Sequence, residues 1–136
     1  MHTKAILTRD DVARILAAAR AEAGAHPWAV SIAVVDDGGH PLALERLDGC
    51  APIGAYICME KARTAALGRR ESQGYEDMIN GGRTAFLSVP RLSGLLTGGI
   101  PILVDGQVVG AIGVSGVQPD QDAQVARAGA AALGRS

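Results

Sequence analysis

Apolar residues at Val12, Ile15, Leu16, Ala19 and Ala23 recur at the three-to-four spacing of one helix face, which predicts a helix over residues 8 to 24. Thr8-x-x-Asp11 supplies a capping-box start with Asp in the Glu position, and Gly24 and Pro27 mark the end. The pattern then changes. Residues 28 to 35, Trp-Ala-Val-Ser-Ile-Ala-Val-Val, form a near-continuous apolar run, the signature of a strand covered on both faces by helices or another subunit. Asp36-Asp37-Gly38-Gly39-His40 reads as a turn, and 41 to 46 as a second strand pairing back on the first. After a loop at 47 to 51, Pro52 opens a helix over 53 to 68. One side of that helix carries Ile53, Ile57, Glu60, Lys61, Thr64 and Leu67; a small-residue side carries Ala55, Met59, Ala62 and Ala66.

Residues 69 to 97 are the least regular, with a short helix expected from Tyr75 to Asn80 and a stretch at 83 to 89 that fits strand or helix equally. So long an irregular segment usually serves function or contacts. Residues 98 to 116 read as two strands joined at Asp105-Gly106, a pair that supplies the positive φ angles of a two-residue turn. Six glycines fall in this span, and glycine inside a strand marks a close approach to the backbone. A last helix runs from 119 to about 133, with Asp120 and Asp122 at its positive end. Strand pairs joined by tight turns and separated by helices predict an α+β fold, an antiparallel sheet flanked by helices, in one domain over residues 1–136.

Composition narrows the function. Net charge is −1 with the signs interspersed, and aromatics are only 3% of residues, so neither a nucleic-acid footprint nor a base-stacking platform is present. No stretch has the apolar length to span a bilayer and the N-terminus has no apolar signal core, which predicts a cytoplasmic protein. Cys50 and Cys58 lack metal-site spacing and read as reduced thiols.

Candidate chemistry follows from residue type. Arg46 and Lys61 are cations beside a loop and a helix, with Thr64 three residues beyond Lys61 on the helix surface. Together with backbone amides at Gly98, Gly99, Ser115 and Gly116 they would suit a carboxylate or propionate. Ser115 lacks the nucleophile-elbow spacing. Cys50 and Glu60 are the candidates for nucleophile or proton chemistry, and His26 and His40 for axial ligands to haem, whose sites carry no fixed sequence spacing.

Val-Val-Asp-Asp-Gly-Gly-His at 34 to 40, Arg46-Leu47-Asp48-Gly49 and Glu60-Lys61-Ala62-Arg63-Thr64-Ala65 form a distinctive series. Gly98-Gly99-Ile100-Pro101-Ile102, Asp105-Gly106 and Val109 through Gly116 continue it, and the helix at Gln121-Asp122 closes it. In these residues the chain resembles the GlcG/HbpS-like family of haem-binding or haem-associated proteins, which includes the C-terminal domain of PduO-type proteins. The resemblance implies a profilin-like fold, homo-oligomers with octamers among them, and binding of haem or a related tetrapyrrole. The competing expectation is an enzyme acting on a small organic acid or aromatic ring-cleavage product, its carboxylate held by Arg46 and Lys61.

Overall fold

The computed structural model describes residues 1–134. Helix α1 spans Arg9–Ala25, capped by Thr8, whose hydroxyl accepts from the Asp11 N–H at 3.2 Å while the Asp11 carboxylate accepts from the Thr8 N–H at 2.9 Å. Strands β1 (Ser31–Asp36) and β2 (Pro41–Arg46) pair antiparallel. They are followed by α2 (Ile53–Gly68), α3 (Gln73–Asn80) and a 3-10 helix at Thr84–Ser88. Strands β3 (Gly99–Val104) and β4 (Gln107–Ser115) form the second hairpin, and α4 spans Pro119–Ala130.

The sheet order is β2-β1-β4-β3, antiparallel at every junction. This is the expected α+β fold. The Asp105-Gly106 turn has φ of +52° and +76°, the mirror-image turn whose twist matches the flanking strands.

β1 is buried along nearly its whole length because both sides of the sheet are covered. Ile32 and Val34 face α1 and α4 with Ile15, Ile112 and Val125, while Ala33 and Val35 face α2 with Cys58, Ala62 and Ala65. The α2 side has no large side chains, so helix and sheet approach closely. A Cβ on Gly113 would lie 2.5 Å from the Ala62 nitrogen and 3.0 Å from its Cβ, and closer still to the Cys58 carbonyl. Gly113 admits this contact, a close backbone approach of the kind glycine in a strand marks, whereas Gly110 meets the Val35 carbonyl and Leu7 instead.

Four elements differ from expectation by more than one residue or in type. β1 begins at Ser31, because Trp28 sits in the connection, where its ring stacks on His26. α3 starts two residues earlier than expected, at Gln73. The ambiguous stretch 83 to 89 is a 3-10 helix at its centre, with no sheet edge alongside it. α4 stops at Ala130, three residues before the expected end. On α2 the buried stripe runs through Gly54, Cys58, Lys61, Ala62 and Ala65, which leaves Ile53 and Leu67 exposed and takes Lys61 and Thr64 inward.

Candidate functional site

The candidate residues divide between two regions joined by α2. At the start of α2, Cys50 is buried with its Sγ 3.2 Å from the Ser31 hydroxyl and 3.7 Å from the Ser115 carbonyl. Ser31 pairs with Ser115 on one side and with Arg46 on the other, so these three stand in a row across the sheet end, with Arg46 exposed. Gly116 closes this end with φ of +152° and no room for a Cβ against Ala29 and Val30.

Farther along α2, Lys61 is 4% exposed and its ammonium is committed inside the protein. Nζ donates to the Val114 carbonyl at 2.9 Å and to Asp122 Oδ2 at 3.0 Å. The other Asp122 oxygen accepts from the Val117 N–H at 3.1 Å. Burial pushes the Asp122 carboxyl above its ordinary value, against the pull of Lys61 and the Val117 N–H. A cation thus bridges α2, the end of β4 and the start of α4. Asp122, placed at the helix start for its dipole, turns inward instead to meet Lys61. No spacing within the chain reveals that partnership, since the two lie 61 residues apart.

Lys61 also explains Gly98 and Gly99. A Cβ on Gly98 would sit 2.9 Å from Nζ, and one on Gly99 would sit 2.8 Å from the Lys61 carbonyl carbon. The Gly99 N–H already donates to the Ser72 hydroxyl at 2.8 Å, and Ser72 in turn donates to the Leu96 carbonyl. These glycines admit the protein's own α2.

The segment 93 to 99 is fastened along α2 by the other candidates. Thr64 Oγ1 donates to the Ser93 carbonyl at 3.0 Å, and Glu60 accepts from the Ser93 hydroxyl at 2.7 Å and is bridged to Arg63. On the far side, Glu76 of α3 accepts from the Thr97 N–H and hydroxyl at 2.8 and 3.1 Å. Between this segment, α3 and the 3-10 helix lies a cleft of about 460 Å³. Ile79, Leu87, Leu92, Leu95 and Leu96 make most of its surface, with Glu76 among the polar groups. That volume lies within the 300–1,000 Å³ usual for small-molecule sites, and aliphatic walls with few polar groups are their usual lining. A groove of about 500 Å³ near Trp28 and Leu47 has charged Arg20 and Asp48 on its walls, and another of about 360 Å³ lies between β3 and α4. The long irregular segment pointed to this neighbourhood, but nothing in the sequence showed its leucines turned toward one space.

The outer wall is held by two of the four aromatic residues. Tyr75 and Phe86 pack at 5.5 Å between ring centres, with Arg70 over Tyr75 and Arg83 over Phe86 at 4.7 and 5.3 Å. The Tyr75–Phe86 pair joins α3 to the 3-10 helix that carries Leu87, and each ring also takes a cation–π contact from its own arginine.

Both axial-ligand candidates lie elsewhere. His26 caps α1, stacked on Trp28 at 3.7 Å, with Nε2 3.1 Å from Glu22. His40 closes the first hairpin, with Nδ1 3.0 Å from Asp36. Among the described residues no group of three or more His, Cys, Asp or Glu side chains is placed to hold a metal ion, and no helix is long and apolar enough to cross a membrane.

A four-stranded antiparallel sheet between one helix and a helix pair, with a ligand-sized apolar cleft at the edge, defines a small α+β ligand-binding protein. Residues 7–131 match the family described as haem degrading protein HbpS-like, and the chain belongs to that family. It is 61% identical over 115 residues to protein GlcG of Escherichia coli K12, covering 85% of each chain. A crystal structure of Streptomyces reticuli HbpS, in a doubly substituted form, superposes with a TM-score of 0.89 at 32% identity, covering 99% of this chain and 92% of that one. A haem complex of PduOC shares the fold, with a TM-score of 0.83 at 23% identity over 94% of this chain and 95% of its own.

Proposed function

We propose that this protein binds haem or a related tetrapyrrole in the cleft between α3, the 3-10 helix and residues 92 to 96. The single observation that carries the proposal is the cleft's lining of five aliphatic side chains, in a family described by its action on haem. A flat apolar macrocycle suits such walls, and Asn80 and Ser93 offer polar contacts at its edge. In this proposal Glu60 and Thr64 are positioning residues that hold segment 93 to 99 in place, and Lys61 does the same for Gly98 and Gly99. The competing enzyme reading needs Lys61 as an open counter-charge, and the burial of its ammonium against Asp122 weighs against that role.

The test is a haem titration followed by visible absorbance. The expected result is saturation near one haem per chain, with Leu87→Arg weakening binding at least tenfold while leaving the melting temperature unchanged. Leu87 is exposed, so charge there changes the cleft rather than the core. Absence of a saturable shift would sink the proposal.

We further propose that the protein works as a cytoplasmic homo-oligomer, with the octamer of the family resemblance as the expected state and a profilin-like subunit. Tyr56 and Leu67 share the outer face of α2 with Ile53 nearby, all exposed. Leu44 pairs with Ala33, which packs under α2, so exposed Leu44 stands on that same side of the sheet. Apolar groups gathered on one side suit a second copy. Light scattering reads the mass directly: eight chains are expected, a smaller closed assembly would correct the number, and a monomer at micromolar concentration would overturn the oligomer.

A further inference from the structure

Six of the side chains able to coordinate haem iron are engaged by contacts of their own, and His2, Tyr56 and Met78 are not among the residues that line the cleft. The His26 ring is stacked against Trp28, and its Nε2 lies at hydrogen-bond distance from both Glu22 and Gln124. His40 is fixed by Asp36. Cys50 is buried against Ser31 at the opposite end of α2. Cys58 lies under α2 with its Sγ on the Ala55 carbonyl at 3.3 Å, in the cluster with Ala33, Ala62 and Ala111. Met59 packs against that same cluster. Tyr75 is held between Arg70 and Phe86. Among the described residues, those lining the cleft are aliphatic, glycine, Ser, Asn and one Glu, and the Glu76 oxygen that meets Thr97 takes two hydrogen bonds already.

We infer that this cleft recognises the tetrapyrrole by its macrocycle and not by its iron, so that the metal-free porphyrin is as good a ligand as haem. The inference rests on the tetrapyrrole proposal above and adds the ligand class: planar tetrapyrroles whatever their metal. The physical ground is the source of the binding energy. Burying the faces of a macrocycle against Ile79, Leu87, Leu92, Leu95 and Leu96 gains the same apolar contact with or without a central ion. A coordinate bond, by contrast, needs a lone pair aimed at the macrocycle centre, and the cleft's own side chains present none of the imidazole, thiolate, thioether or phenolate groups that supply it in haem proteins. Tyr75 and Phe86, with their two arginines, fix the wall behind Leu87 and so set the width of the slot without entering it.

The experiment compares haem with metal-free protoporphyrin IX on the full chain, by direct titration and by displacement of one by the other. The expected result is dissociation constants within about threefold of each other and mutual displacement. Leu87→Arg and Leu96→Arg, both at exposed positions that tolerate charge, should weaken the two ligands by the same factor, while His26→Ala and His40→Ala leave both unchanged. Haem binding at least tenfold tighter than the metal-free ring overturns the inference. Loss of that excess in His26→Ala, His40→Ala or Cys50→Ala would identify the ligating side chain, and persistence of the excess in all three would assign it to another donor. If neither molecule binds, the tetrapyrrole proposal fails and this inference fails with it. Haem binding without porphyrin binding defeats the inference alone.

Discussion

Gly113→Ala should unfold the protein at a markedly lower temperature, with a loss of about 3 kcal/mol, the upper range for overpacking a close-packed interior. The added methyl would sit 2.5 Å from the Ala62 nitrogen and closer to the Cys58 carbonyl. Both are backbone atoms in the middle of α2, so no side-chain rotation relieves the contact and the whole helix must lift from the sheet. Lifting it opens space around Ala33, Val35, Ala62, Ala65 and Ala111, which are too small to fill the gap. For a chain of this size the expected fall in melting temperature is roughly 10 °C. A calorimetric scan checks it. A fall of less than 2 °C would mean that α2 does not ride on β4 as closely as described. Gly106→Ala makes a useful contrast: it has open space but a φ of +76°, so its smaller cost would come from backbone conformation alone.

Lys61→Met should cost about 4 kcal/mol at neutral pH, because removing one partner of a buried pair strands the other charge. Met keeps most of the aliphatic stem, so the loss reports the ammonium rather than a cavity. The pH dependence separates this cause from simple misfit. Burial already raises Asp122 above its ordinary carboxylate value of 3.8, and deleting Lys61 removes a group that pulls it down. A carboxyl whose folded value is raised favours the fold fully below the unfolded value and loses that contribution as pH rises through the folded one. The deficit of Lys61→Met relative to the parent should therefore be small near pH 4 and grow toward pH 8. Urea unfolding at the two pH values reads it. Adding Asp122→Asn keeps an acceptor for the Val117 N–H and removes the charge, so the double variant should recover stability and lose most of the pH dependence. An equal deficit at both pH values would show that the charge on Asp122 is not the cause.

The candidate residues show where local pattern ends. Thr8 and Asp11 were identifiable as a cap because their hydrogen bonds run to neighbours three residues away. The Asp105-Gly106 turn was identifiable because its φ angles depend on those two residues. Arg46, Lys61, Gly98 and Ser115 were found as residues of interest, but their roles depend on long-range contacts. Lys61, by residue type a candidate counter-charge for a ligand carboxylate, is a buried strut, since the partner that permits its burial lies on α4. Gly98 and Gly99 looked like open backbone and are where α2 and Lys61 fill the space. Ser72, Ile79, Leu87 and Leu92 belong to no sequence motif, and yet one ties down Gly99 and the others face the cleft.

By itself the sequence determined the order of helices and strands, the double burial of β1, the tight second hairpin and the resemblance to a haem-associated family. All of these follow from periodicity, turn chemistry and motifs that act over a few residues. The tertiary structure alone decided which face of α2 meets the sheet, that Lys61 pairs with Asp122, and that the irregular segment closes an apolar cleft. Those depend on distances between groups far apart in the chain, fixed only when α2 settles onto Ala33 of β1 and Ala111 and Gly113 of β4.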